Sequence, residues 1–239
     1  MRPWGCVGEL QAEPPQSVLP KEIEIVTDDY GLSTCPTHYF AVYASVASGH
    51  KWPRRIQIYP AQAFIVALFC SRLRFPPPEK PHVTPVGLEE VPEVADSSDT
   101  MTITTSALRL PVVHVCIPEP AVFPILFNYF HNTNMREFSL NLIGEWVPRS
   151  PDMSLQAYRM HFAAAIAKHH SPVKIWSYMV NVRATWRNMM ALGVSDEELW
   201  AMIYHLWFVA WKAREIQTLK PGRYVGPKDA STGADSEKV

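Results

Sequence analysis

From Asn134 to Ile216 the sequence leaves room for little except helices, and that stretch constrains the architecture of the whole chain. Four windows, 134–146, 153–169, 172–191 and 195–216, carry apolar residues at helical spacing and are parted by Pro148, Pro151, Pro172 and Gly193. Connections this short set successive helices side by side. In the third window Ile175, Met179, Val182, Trp186 and Met189 stand at i, i+4, i+7, i+11 and i+14, a seam that must face other protein. The fourth opens on Ser195 and Glu198, spaced as a capping box, and carries Trp200, Tyr204, Trp207 and Trp211 along one line. Between Leu199 and Trp211 it is apolar nearly all round, which predicts a place at the centre of the helical part.

Upstream, prolines mark the joints of shorter elements. Residues 1–20 read as a poorly ordered arm, because prolines and glycines surround only scattered apolar residues. Lys21 to Val26 suits a short strand, with Asp28, Asp29 and Gly31 as turn chemistry after it. From Thr37 the spacing of Tyr39, Phe40, Tyr43 and Val46 predicts a helix ended by Gly49. Arg54 to Tyr59 reads as a short strand. Pro60 can then begin a helix whose buried stripe is Phe64, Ile65, Leu68 and Phe69, closed by Arg72 and Arg74 at its negative end. Met101 to Thr105 and Leu110 to Ile117 are strand candidates, the second apolar enough to be central. After Pro118 and Pro120 a helix presents Phe123, Leu126, Phe127 and Phe130 and stops at His131, Asn132 and Asn134.

Segment 76–100 differs: Glu79, Glu89, Glu90, Glu93, Asp96 and Asp99 against Lys80 give a charge of −5, with six prolines. Too little apolar surface offsets its chain entropy, so it reads as a flexible acidic loop. The expected organisation is an arm at 1–20, one domain at 21–216 carrying that loop, and a disordered tail at 217–239. The expected fold class is α+β and predominantly helical, a small N-terminal layer of strands and helix followed by a packed helical array.

Signs of catalysis are sparse. There is no phosphate cradle of the G-x-x-x-x-G-K-[ST] kind, no G-x-G-x-x-G after a strand, no G-x-S-x-G elbow and no H-E-x-x-H. Cys6, Cys35, Cys70 and Cys116 are too widely spaced for a zinc knuckle or a C-x-x-C redox pair, and a reduced intracellular chain is the simplest expectation. Arg2 is followed by Pro3, Gly5 and Gly8 with no apolar run, unlike a signal peptide, and no segment is long and apolar enough to span a membrane. His161 and His169 lie two helical turns apart, about 12 Å, too far to share a metal, and His169 and His170 suit the capping of a helix end. His114 and Cys116 share a strand face and form the one dyad available to an enzyme, but a core or edge histidine is the simpler account without a third group to orient the imidazole. Glu197 and Glu198 point apart and suit a helix start. No cofactor, metal or catalytic residue is expected.

Charge is more informative. The whole chain is nearly neutral, at −1, which argues against a role in gripping a phosphate backbone. Between Arg149 and Ala191, however, Arg149, Arg159, Lys168, Lys174, Arg183 and Arg187 face only Asp152, a local +5. An ordinary solvated face, balanced by the acidic loop, accounts for this more simply than a binding face. If it does bind, Arg183, Arg187, Lys174 and Arg159 are the candidate partner-binding residues, for an acidic protein or, less favoured, nucleic acid. Trp146, Trp176, Trp186, Trp200, Trp207 and Trp211 all fall in the helical part; most should be core, and one or two exposed would make a hot spot.

The stretch from Leu110 to Met135, with Pro120, Phe123, Leu126, Tyr129 and Phe130 following an apolar strand, resembles the middle of BTB/POZ-type interaction domains. It is more closely similar to the clampless-type developmental proteins of basidiomycete fungi, as are the order and length of the helices that follow. The resemblance implies a non-enzymatic regulator of sexual development, required for clamp-cell formation downstream of mating-type homeodomain factors. It also implies action through a protein partner such as a homeodomain transcription regulator and a nuclear location in preference to a cytoplasmic one, and it leaves a homodimer open; the expectation of no membrane association rests on the lack of a long apolar segment.

Overall fold

The apolar run expected to form a central strand at 110–117 is the second half of a longer one, Thr105–Ile117. In the computed structural model, which describes residues 8–12, 20–28, 36–44, 54–75, 84–85 and 105–219, the strands are β1 (Gly8–Ala12), β2 (Glu22–Asp28), β3 (His38–Ala44), β4 (Arg54–Ala61), β5 (Thr84–Pro85) and β6 (Thr105–Ile117). The helices are α1 (Ala63–Phe69), α2 (Phe123–Asn132), α3 (Met135–Ile143), α4 (Leu155–His169), α5 (Pro172–Leu192) and α6 (Glu197–Thr218). The protein is therefore α+β and mostly helical, a small N-terminal sheet followed by a helical array. The first strand lies inside the segment expected to be an arm, and α6 runs to Thr218, just into the expected tail. Of the acidic segment 76–100 only Thr84–Pro85 falls within the described residues, where it pairs with β6.

The sheet runs β1-β4-β3-β6-β2, with β5 beside β6. β6 pairs antiparallel with β2 as far as Pro111, then parallel with β3 from Val112 onward. Val112 marks the changeover, donating its N–H to the Lys21 carbonyl at 2.8 Å.

β3 corrects the helix expected from Thr37. It lies between β4 and β6, so both of its edges are paired, and His38 to Val42 are buried whichever face they point to. A strand buried on both faces shows no period-2 alternation, and a continuous apolar run then imitates a helix. Its residues divide by face: Phe40 and Val42 join the main core, while Tyr39 and Ala41 pack with Ile56, Ile58, Leu110 and Val112 on the other side. The aromatic and β-branched content of this run was the strand signal.

The stripe expected on α1 is also corrected. Ala63 and Val66 are buried, whereas Phe64 and Leu68 are two-thirds exposed, at 68% and 67%. Pro60 belongs to β4 rather than to the start of the helix. Arg72 does serve a helix C-terminus, but that of α5: its guanidinium donates to the Met190 carbonyl at 2.9 Å, and Ser71 N–H donates to the Gly193 carbonyl at 3.1 Å.

The four C-terminal helices begin and end within two residues of the expected windows, except that α3 stops at Ile143, three residues before the expected end at 146, where Gly144 terminates it. Asn134, Ser154 and Ser171 cap α3, α4 and α5. The cap of α6 is Asp196, accepting from Leu199 N–H at 3.0 Å, and not the expected Ser195, whose N–H instead donates to the Phe69 carbonyl at 3.0 Å. Gly144 and Gly193 end α3 and α5 with φ of +67° and +66°, where an L side chain would be strained. One core joins sheet and helices: Phe127 lies against Phe40 and Tyr59, and the inner faces of α2 to α6 continue it through Phe138, Phe162, Val182 and Leu206.

Candidate functional site: an aromatic groove on the last two helices

α5 buries Ile175, Tyr178, Met179, Val182 and Met189, and α6 buries Leu199, Ile203, Leu206, Val209 and Ala213. The seam expected on α5 thus faces protein except at Trp186. The line expected to place α6 at the centre turns outward instead: Tyr204, Trp207 and Trp211 are exposed on the face opposite Leu206 and Val209, with only Trp200 partly covered. Trp176 and Trp186 are exposed too, so the expectation that most tryptophans are core is overturned. Indole tolerates half-exposure because one part of its large surface can pack while another stays wet, so an apolar stripe containing it does not prove burial.

These side chains converge. Val182, Arg183, Trp186, Ile203, Tyr204 and Trp207 line a groove of ≈ 260 Å³ between α5 and α6. Val182 and Ile203 form its floor, Trp186, Tyr204 and Trp207 its apolar walls, and Arg183 its charged lip. Toward the start of α5 the surface continues through Val180 and Trp176, with the Arg214 guanidinium 4.8 Å from the Trp176 ring centroid, a cation–π contact. A contiguous aromatic and aliphatic patch of this kind, rimmed by arginine, has the composition of an interaction hot spot.

Of the four candidate partner-binding residues, only Arg183 lines this groove. Arg187 reaches Glu119 at 2.6 Å, beside Asn188, which donates to the Glu119 carbonyl at 2.7 Å and accepts from its N–H at 2.9 Å. That set docks α5 onto the turn that follows β6. Lys174 lies 5.4 Å from the Tyr178 ring centroid, and Arg159 lies 5.6 Å from that of Phe208 on the α4 side of α6. The basic residues of 149–191 are therefore spread over several faces and not gathered on one.

Arg159 belongs to a second concavity of ≈ 420 Å³, with Arg149, Trp146, Tyr158, Met202 and His205 among its lining. His205 is buried and stacks on Tyr158, rings 5.2 Å apart and 4° from parallel, with neither ring nitrogen hydrogen-bonded. Burial, reinforced by the nearby Arg159 charge, pushes its pKa down to about 4.

His114 and Cys116 are both exposed on one face of β6, where His114 meets Tyr43 edge-on at 6.2 Å. His169 and His170 share the carboxylate of Glu145, at 3.2 and 3.1 Å, and fasten the end of α4 to the end of α3, while His161 is exposed on α4. Among the described residues no three His, Cys, Asp or Glu side chains come together as a metal site, and no helix is long and apolar enough to cross a membrane.

What the fold and this groove define is a small α+β protein that offers an apolar, arginine-rimmed helical surface to solvent. Residues 6–118 match the clampless protein 1 N-terminal domain and residues 140–238 match the clampless protein 1 C-terminal domain. The chain belongs to the clampless protein 1 family, in which the groove falls wholly within the C-terminal domain. No curated protein and no solved structure matches it.

Proposed function

We propose that the protein is a non-enzymatic regulator of sexual development that acts in clamp-cell formation by binding a transcription regulator, such as a homeodomain factor, through the α5–α6 groove. The family supports the developmental role. The observation that carries the mode of action is the exposure of Trp186, Tyr204 and Trp207 around one groove, since large aromatics left in water are the groups a partner covers with most gain. A nuclear site of action and the BTB/POZ-like character of the central segment belong to the same reading. The test is recovery of tagged protein from nuclease-treated extract of clamp-forming cells, alongside the Trp186→Ala/Trp207→Ala variant. A transcription regulator retained by the parent protein and lost with the variant is the expected outcome. Equal retention by both, or no regulator with either, would overturn the proposal.

A further inference from the structure

The charges around the groove restrict what can lie in it. From Met153 to Ser195 the sequence contains no aspartate or glutamate, so every charge that α5 shows to solvent is positive. Arg187 is engaged by Glu119, but Arg183 has no carboxylate partner among the described residues and stands at the groove itself. On α6, Lys212 is neutralised by Glu215 at 2.9 Å, which leaves Arg214 beside Trp176 as the cation at the far end. The acids in line with Tyr204 and Trp211 are Glu197, two turns before Tyr204, and Glu215, which Lys212 already engages. The exposed strip from Trp176 to Met190 spans 15 residues, about 21 Å from end to end, or four helical turns.

We infer that the groove takes an acidic amphipathic helix of about four turns from another protein, apolar anchors at i, i+3 or i+4 and i+7 seated among Trp186, Tyr204 and Trp207 and carboxylates beside Arg183 and Arg214. This rests on the docking reading above and adds the chemistry of the partner. A shallow channel between two long antiparallel helices matches a third helix laid along it, as ridges pack into grooves. Charge selects the sign, because a basic segment would meet uncompensated arginines. A second copy of the chain fits poorly: Arg183 stands near the middle of the strip, so a two-fold contact would set it against its own counterpart. The chain's own acidic segment 76–100 fits poorly as well, since its six prolines leave no run long enough for four helical turns.

The test uses the full chain and fluorescent designed peptides of about 16 residues. One has leucines at every third and fourth position with glutamates between; a second replaces the glutamates with lysines; a third carries a central proline in the glutamate sequence. Anisotropy should show the glutamate peptide binding at least roughly tenfold tighter than the lysine peptide, and the proline peptide failing. Arg183→Glu/Arg214→Glu should reverse the preference between the two charges. Trp207→Ala and Tyr204→Ala, both at exposed positions and each checked by thermal melting, should weaken binding of either peptide. Equal affinity for both charges, or indifference to these variants, would overturn the inference. So would a dimer in sedimentation that Trp207→Ala dissolves, or a tenfold gain for the glutamate peptide on deleting residues 86–104, because a second copy or the chain's own segment would then be the occupant. If a regulator is retained through Trp186 and Trp207 while the glutamate peptide does not bind, the docking reading stands and only the acidic-helix partner is lost.

Discussion

Tyr129 and Asp196 meet phenol to carboxylate at 2.7 Å, and through that bond α2 holds the first turn of α6 in place. The other oxygen of Asp196 accepts from Leu199 N–H at 3.0 Å, so one carboxylate both caps α6 and ties it to the layer that carries the sheet. Tyr129→Phe should cost about 1–3 kcal/mol in urea unfolding. Asp196→Ala should cost more, because it removes the cap and strands a buried hydroxyl. Burial first, and then the bond to Asp196, keep the Tyr129 hydroxyl protonated well above its ordinary pKa of 10. The folded state thus retains a proton that the unfolded chain releases, and stability falls as pH rises beyond about 10. Tyr129→Phe should make that alkaline decline shallower, and an unchanged slope would show that the bond is not coupled to folding. Tyr158 and Tyr178, shifted in the same direction, and the buried Cys70 thiol, whose contribution begins to be lost from about pH 9, supply the remainder.

His205 governs the acid side. Its pKa falls from 6.5 to about 4 on folding, so it is neutral in both states above 6.5 and protonated first in the unfolded chain as pH falls. Stability is then lost between about pH 6.5 and 4, by about 3 kcal/mol in total. His205→Phe, which keeps the ring stacked on Tyr158, should flatten the slope between pH 7 and 4.5, apart from the part due to His131, shifted the same way by burial. An identical slope in the variant would mean that His205 is solvated in the native state.

Gly193 is both a helix stop and a point of close approach. With φ of +66°, a Cβ built there would stand 2.6 Å from Ser71 Oγ and 2.6 Å from Arg72 Cγ. Gly193→Ala should lower stability by about 1–2 kcal/mol or more, from left-handed strain together with displacement of the Ser71–Arg72 segment from the end of α5. Gly193→Asn, better suited to positive φ yet equally obstructed by Ser71 and Arg72, should recover little; full recovery would assign the whole effect to backbone strain.

The thiols should separate by burial. Cys70 is buried, and desolvation pushes its pKa up to about 12, whereas Cys116 is exposed on β6. Mild alkylation of native protein, read by peptide mass, should modify Cys116 and spare Cys70 until denaturant is added. Faster labelling of Cys116 than of Cys70 therefore follows from exposure alone and is not a sign of a catalytic thiol.

The parts of this molecule legible in the sequence are those where pattern and punctuation agree. Helices α3 to α6 combine 3.6-residue periodicity with a capping side chain and a proline or glycine stop, so their windows match the structure closely. β3 was misread because a strand covered on both faces loses its alternation. α1 was misread because Phe64 and Leu68 are apolar yet exposed, and hydrophobicity does not say which apolar residues a short helix buries. The groove was half legible. The spacing of Tyr204, Trp207 and Trp211 showed that they share a face, but only packing against α4 and α5 shows that this is the face left in water. Arg183 was found through charge; the division of roles between it and Arg187 was not, because the carboxylate that engages Arg187 is 68 residues away in the chain.

That division gives a further prediction. Asn188 is fully buried and makes two hydrogen bonds to the backbone of Glu119, while Arg187 makes an ion pair with the same residue's side chain from a half-exposed position. Asn188→Ala orphans a buried N–H and a carbonyl and should cost about 2–3 kcal/mol. Arg187→Ala removes only a solvent-screened pair and should cost no more than about 1 kcal/mol. Arg183→Ala, with no partner to lose among the described residues, should leave the melting temperature unchanged and act only on binding at the groove. Thermal melts of the three variants, set beside peptide binding, separate the residue that docks α5 onto the turn after β6 from the residue that faces a partner. If Arg183→Ala lowers stability as much as Asn188→Ala does, the guanidinium is holding the two helices together, and the charged lip of the groove is structural.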